Sequence, residues 1–74
     1  MTTKRLSPQR LRMLRAGHEP KLSQGAVAAK AGLKLARYWY LETKSGPATP
    51  EEVKAIAKAL KVPQKAIAVS EASA

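Results

Sequence analysis

The segment LSQGAVAAKAGLKLARYWYLE, residues 22–42, carries the clearest structural signal in this chain. Ser23 is placed to cap a helix in which Val27, Ala28 and Ala31 share one face. Gly32 supplies the positive φ that a sharp helix-ending turn needs, and a second helical pattern begins almost at once. A small Ala28 lets the two helices approach, and Leu33 fills the corner between them. The segment therefore predicts two helices joined by a tight turn.

Helix signals also flank this pair on both sides. Ser7 is a predicted N-cap with Pro8 at the first helical position, and that helix closes at Gly17. After the break KSGPA, Thr49 and Glu52 have the spacing of a capping box at the start of a fourth helix. The buried face predicted for this fourth helix consists of Val53, Ile56, Ala57 and Leu60.

The last apolar stretch, VPQKAIAV, predicts a turn and a short final helix that holds Val62 and Ile67. No alternating run is long enough to predict a strand. We therefore expect an all-α fold, a compact bundle of about five short helices. Residues 1–5 are predicted to be a flexible basic arm, residues 6–69 the domain, and residues 70–74 a disordered tail.

Positive charge dominates the composition. The 74 residues include 14 Lys and Arg against 5 Asp and Glu, for a formal net charge of +9. Residues 1–50 hold ten bases and two acids, whereas residues 51–74 hold four bases and three acids. Such an uneven excess indicates a polyanionic partner, nucleic acid or an anionic membrane.

The composition speaks against several kinds of chemistry. The chain has no cysteine and one histidine, His18, so we expect neither a metal site nor a cofactor. Nucleophile, base and orienting residues form no suggestive arrangement, and we expect no enzymatic activity. Neither a signal peptide nor a membrane span is predicted, which favours a cytoplasmic protein.

The turn and its flanks resemble a known family. Leu-Ser-Gln, an aliphatic-Ala pair, Ala-Gly, an aliphatic residue and a later aliphatic-Glu pair are similar to the lambda-repressor-like helix-turn-helix proteins. These include phage Cro and repressor proteins and the xenobiotic-response-element regulators. The likeness spans about residues 6–67 and rests on the turn segment together with EEVKAIAKALKV. The matching turn residues are Leu22, Ser23, Gln24, Val27, Ala28, Ala31, Gly32, Leu33, Leu41 and Glu42.

The resemblance implies a recognition helix at about residues 34–43 that enters the major groove of DNA. Gln24, at the amino end of the preceding helix, matches a family residue that contacts backbone phosphate. In the recognition helix, a lysine or arginine such as Lys34 or Arg37 can pair with guanine, whereas Leu35 and Ala36 can touch only thymine methyl groups. The full set of residues expected to bind DNA is Ser23, Gln24, Lys34, Leu35, Ala36, Arg37, Trp39, Tyr40, Thr43, Lys44 and Ser45.

All three aromatic residues are adjacent, at positions 38–40. Because neighbours on a helix point about 100° apart, they cannot all enter one core. We expect Tyr38 and Leu41 to turn inward and Tyr40 to face the groove. Trp39 falls between these faces, over a sugar–phosphate wall or the core margin.

The leading functional hypothesis is a sequence-specific, double-stranded DNA-binding transcriptional regulator. We expect a Cro-like repressor that acts as a homodimer in a bacterium or phage-infected host. The alternative is an antitoxin or accessory regulator whose main partner is another protein, with VPQKAIAV as its adhesive surface. A cationic membrane-surface protein is disfavoured, because the bases do not segregate opposite a broad aromatic stripe.

Overall fold

The computed structural model describes residues 3–69 and is mostly helical. Helices α1 and α2 span Pro8–Ala16 and Gln24–Ala31, and α3 and α4 span Leu35–Thr43 and Pro50–Leu60. Two short strands, β1 at Lys4–Arg5 and β2 at Pro47–Ala48, pair antiparallel, and Gln64–Ala66 form one 3-10 turn. The predicted helical bundle is confirmed, with a small sheet added at its edge.

The predicted helix starts are confirmed by the capping bonds. The Ser7 hydroxyl accepts a hydrogen bond from the Arg10 backbone N–H at 3.3 Å, and the Ser23 hydroxyl accepts one from Ala26 at 3.0 Å. Thr49 and Glu52 form the complete capping box that opens α4. These side chains satisfy N–H groups that the first turn of a helix leaves without an intrahelical partner.

The core lies where α2 packs between α3 and α4, with α1 closing one side. The four residues predicted to form the inner face of α4 are all buried. The amino-terminal Leu6 and the late Ile67 are also fully buried, so both ends of the domain join the same core. The buried apolar residues are Leu6, Leu11, Val27, Ala28, Tyr38, Leu41, Ala48, Val53, Ile56, Ala57, Leu60 and Ile67.

The expectation of no strand was wrong at one edge. Lys4 pairs with Ala48 and Arg5 with Pro47, while Leu6 forms a bridge with Ala68. The backbones of Lys4 and Arg5, assigned from sequence to a basic arm, are thus paired, while their side chains remain exposed. Two-residue strands are too short to show alternation, and the pairing joins segments more than 40 positions apart, which no local pattern reports.

The final apolar segment forms less helix than predicted. Helix α4 ends at Leu60, and its C-cap residue Lys61 is left-handed, with φ +58°. After it, only Gln64–Ala66 make a 3-10 turn, preceded by Pro63 at the N-cap position. Ile67 is buried, whereas Val69 is 41% exposed. The tail predicted at residues 70–74 lies outside the described residues.

Candidate nucleic-acid interface

Helix α3 is fixed to the domain by its inner face. Gly32 adopts φ +74° at the end of α2, and the Leu33 N–H donates to the Ala28 carbonyl at 2.8 Å. Tyr38 and Leu41 are completely buried, as predicted, so the orientation of the helix about its own axis is set. The turn and these two anchors leave the opposite face of α3 directed outward.

That outward face is unusually apolar. Leu35 is 54% exposed, Trp39 44% and Tyr40 40%, and Ala36 is exposed beside them. Leu35 and Trp39 are four residues apart and therefore neighbours on the helix surface, as are Ala36 and Tyr40. We call the surface formed by Leu35, Ala36, Trp39 and Tyr40 the α3 ridge.

Cations stand at both ends of the α3 ridge. Lys34 is the N-cap residue of α3, and its exposed side chain makes no capping bond. At the other end, the ammonium of Lys44 lies 5.9 Å from the centroid of the Trp39 ring. A cation over an indole face is attracted by the ring quadrupole, so this lysine is held near the ridge. The arrangement is an apolar strip with a positive charge at each end.

A buried polar cluster holds α3 against α1 and α2. Glu42 is only 1% exposed, and its carboxylate accepts hydrogen bonds from Arg15 Nε at 2.9 Å and Nη2 at 2.8 Å. Tyr38 Oη donates to Glu42 at 2.6 Å, and Gln24 Nε2 donates at 3.0 Å. The carboxylate thus ties three helices together at the back of the α3 ridge.

The ionisation of this cluster follows from its contacts. Burial alone would raise the pKa of Glu42, but the hydrogen bonds from Arg15, Tyr38 and Gln24 outweigh it and the pKa is lowered. Burial and the bond to Glu42 raise the pKa of the Tyr38 hydroxyl far above its ordinary value. At neutral pH the cluster therefore consists of a carboxylate, a guanidinium and a neutral phenol.

Arg37 is engaged by a second ion pair. Its Nε and Nη2 donate to the two carboxylate oxygens of Glu52 at 2.7 and 2.8 Å, and Nη2 also bonds the Pro47 carbonyl at 3.2 Å. The Tyr40 ring lies 5.7 Å from the same guanidinium. The hydrogen bond from Arg37, partly offset by burial, lowers the pKa of Glu52. Arg37 thus links α3 to the start of α4.

The residues expected to bind DNA fall into two groups in the structure. Three are half-buried and bonded within the domain: Gln24 to Glu42, Arg37 to Glu52, and Ser45, whose hydroxyl donates to the Leu6 carbonyl at 2.8 Å. The others are exposed: Ser23, Lys34, Leu35, Ala36, Trp39, Tyr40, Thr43 and Lys44. The exposed group, Ser23 apart, belongs to α3 and its two caps.

Sequence reasoning missed how Arg15 and Gly46 shape this site. Arg15 is 27 positions from Glu42, and no local pattern connects them. A Cβ at Gly46 would overlap the Tyr40 ring, which packs directly on the glycine backbone. The segment KSGPA predicted that the helix ends there, but not that the Tyr40 ring leaves no room for a Cβ at Gly46.

The ion pairs leave the surface strongly basic. Within residues 3–69 the only salt bridges are Arg15–Glu42 and Arg37–Glu52, and the remaining lysines and arginines are exposed. Glu19 and Glu51 are the exposed acids of this part of the chain. Two of the few acids are therefore used inside the domain, and the outer charge is almost entirely positive.

The described region also contains a groove outside the α3 ridge. A groove between α1 and the end of α4 is lined by Met13, Leu14, His18 and Val62, and Met13 is 65% exposed. The His18 ring forms a hydrogen bond of 2.9 Å with the Leu60 carbonyl, so it joins the end of α1 to the end of α4.

Across residues 3–69, no group of three or more His, Asp or Glu side chains is placed to hold a metal. None of the helices described has the length and apolar character needed to cross a bilayer.

Comparison with known proteins agrees with this geometry. A family model described as a helix-turn-helix domain matches residues 9–69, and the chain belongs to that family. Comparison with curated proteins and with solved structures gave no match.

Proposed function

We propose that this helix-turn-helix protein is a sequence-specific transcriptional regulator, a Cro-like repressor, that inserts α3 into the major groove of double-stranded DNA. The observation that supports this best is the α3 ridge itself, an exposed face of an anchored helix with a cation at each end. An α-helix fits the width of the major groove, and exposed cations neutralise the phosphates beside it.

We propose distinct roles for the two groups of residues. The α3 ridge meets the base edges, while Lys34, Thr43 and Lys44 contact phosphates at the groove walls. Ser23 lies at the amino end of α2, where helix N–H groups favour anions. Gln24, Arg37 and Ser45, which are bonded within the domain, position the interface.

We further propose that the protein binds as a homodimer in the cytoplasm of a bacterium or a phage-infected host. A single small module covers few base pairs, so one α3 ridge gives limited specificity. A symmetric pair would present two ridges to half-sites one helical turn apart, roughly 34 Å.

The proposal is tested by selecting bound duplexes from a random pool and measuring the affinity of the enriched site. We expect this site to bind more tightly than a scrambled duplex, with an affinity that falls steeply as salt increases. Equal affinity for all duplexes at physiological salt would contradict sequence-specific regulation.

A matched pair of lysine substitutions locates the interface. Lys34→Ala should weaken binding and reduce the slope of log affinity against log salt by about one, because it removes one phosphate contact. Lys58→Ala, which removes another exposed lysine, on α4, should change both quantities little. The opposite order would place the DNA surface on α4.

One observation favours the alternative of an antitoxin or accessory regulator. Met13 is the most exposed of the large apolar side chains described, and it lies beside Leu14 and Val62 in the α1–α4 groove. If another protein is the main partner, Met13→Asp should abolish its stoichiometric co-purification while the affinity for DNA is unchanged. Failure to recover a stoichiometric partner with the unaltered protein would count against this alternative.

A further inference from the structure

The α3 ridge lacks the side chains that usually identify guanine and adenine. Arginine or lysine pairs with guanine O6 and N7, and asparagine or glutamine pairs with adenine N6 and N7. Helix α3, LARYWYLET, contains no asparagine, glutamine or lysine, and Arg37 is its only basic residue. Within α3 itself, base reading by paired hydrogen bonds would therefore depend on Arg37 alone, because Lys34 precedes the helix as its N-cap residue.

Arg37 already bonds acceptors within the domain through two of its three guanidinium nitrogens, Nε and Nη2. Both of its bonds to Glu52 are shorter than 3 Å, and its Nη2 also reaches the Pro47 carbonyl. The same carboxylate accepts a bond of 2.9 Å from the Thr49 N–H in the capping box of α4. Turning Arg37 toward a base would strip Glu52 of its cation and disturb the packing of Tyr40 on the guanidinium.

Apart from the Tyr40 hydroxyl and the indole N–H of Trp39, the groups left on the ridge are apolar. Leu35 projects at the first turn of α3 and Trp39 follows one turn later, with exposed fractions of 54% and 44%. The C5-methyl group of thymine is the apolar feature of the major-groove edge, and apolar side chains recognise it by contact. Burying a methyl group against Leu35 removes both apolar surfaces from water.

We propose that the α3 ridge selects its target through thymine methyl groups and that Leu35 is the residue that determines this specificity. This inference rests on the proposed function. It predicts that the enriched duplex has thymines at the positions facing Leu35 and Trp39, and that Arg37 serves to hold α3 on α4.

The test compares the enriched duplex with the same duplex in which every thymine is replaced by uracil. Uracil keeps the hydrogen-bonding pattern and lacks only the methyl group. We expect the unaltered protein to bind the thymine duplex more tightly, by about fourfold for each methyl group contacted. A scrambled duplex carrying the same replacement should show no comparable difference.

Two variants assign the effect to the ridge. Leu35→Ala should lose most of the preference for thymine over uracil while it still binds both duplexes. Met13→Ala, which truncates an exposed apolar residue on α1, should retain the full preference. Thermal unfolding of each variant shows whether its fold is intact, and both side chains lie outside the core.

The outcomes separate the inference from the proposed function. Equal affinity for the thymine and uracil duplexes, with the enriched site still preferred over a scrambled one, would overturn the methyl inference alone. A guanine-rich site whose preference disappears in Arg37→Ala would overturn it as well. Absence of preference for any duplex would overturn the proposed function and the inference together.

Discussion

Glu42 shows how a single residue determines the presentation of the interface. Its buried carboxylate bonds Arg15 of α1, Gln24 of α2 and Tyr38 of α3, directly behind the exposed ridge. A buried carboxylate is tolerated only when a cation and hydrogen-bond donors surround it. The position of α3 therefore depends on Arg15 of α1, a residue outside the α3 ridge.

Removing Arg15 tests this dependence. Arg15→Ala would leave Glu42 buried without its cation, and we expect the free energy of unfolding to fall by roughly 3 kcal/mol. Urea unfolding followed by circular dichroism measures this difference. Arg12→Ala, an exposed arginine on the same helix, is the control and should change stability by less than about 0.5 kcal/mol. Similar losses for the two variants would show that the buried pair adds nothing specific.

The same residues show where sequence reasoning succeeded and where it stopped. The inward turn of Tyr38 and Leu41 followed from their spacing on a helix and is confirmed. The contact of Arg15 with Glu42 and the pairing of Arg37 with Glu52 join separate helices, which only the folded chain brings together. Sequence therefore predicted that Tyr38 and Leu41 of α3 face inward, but not that Arg37 of the same helix is bonded to Glu52 of α4.

At the scale of elements, the turn between α2 and α3 is the feature most tightly fixed by sequence. The carbonyls of Ala28 and Ala29 both accept from the Gly32 N–H, and Gly32 has φ +74°. A residue with a Cβ strains in this conformation even though the space around the glycine is open.

Gly32→Ala should therefore reduce the free energy of unfolding by about 1–2 kcal/mol through backbone strain. Gly25→Ala is the matched control, because Gly25 lies in the first turn of α2 with a helical backbone and room for a methyl group. It should leave stability unchanged or raise it by up to about 1 kcal/mol. Thermal unfolding of both variants gives the comparison, and an equal effect would remove the special role of the turn.

The elements that sequence did not predict lie at the edge of the fold. The strand pair Lys4–Arg5 and Pro47–Ala48 forms because Leu6 is buried and draws the amino-terminal segment alongside β2. The final helix was overestimated: only the 3-10 turn Gln64–Ala66 follows Pro63, and the next residue, Ile67, is buried in the core. Helix caps and the spacing of apolar residues predicted the four α-helices. The strand pair and the 3-10 turn depend on contacts between distant segments, so no periodic pattern in the sequence indicates them.

At the scale of the whole molecule, positive charge is concentrated on the surface and the paired acids are inside. Glu42 and Glu52 both have lowered pKa values in the folded protein. For Glu42, burial would raise the pKa, but its hydrogen bonds, that from Arg15 first, outweigh burial. For Glu52, the hydrogen bond from Arg37 lowers the pKa, and burial offsets only part of this effect. Their contribution to stability is present above the ordinary carboxylate pKa near 4.5 and is lost as pH falls through the lower folded values.

We therefore expect the free energy of unfolding to decrease as the pH is lowered below about 4.5, measured by urea unfolding at a series of pH values. Glu52→Gln should be less stable at pH 7 and show a shallower decrease, because one of the titrating groups is gone. Glu51→Gln, at the exposed neighbouring position in the same first turn, is the control and should lower stability at pH 7 by less than Glu52→Gln. A stability that stays constant down to pH 3 would contradict the role of the two ion pairs.

The central claim is that the exposed face of α3 is the surface that meets DNA. The most direct measurement is an NMR titration of the labelled protein with its enriched duplex, following every backbone amide. We predict that the largest shifts occur from Lys34 to Lys44 and at the amino end of α2, with small changes around Met13 and Lys58. Shifts centred on α1 or the end of α4, with α3 unaffected, would contradict the claim.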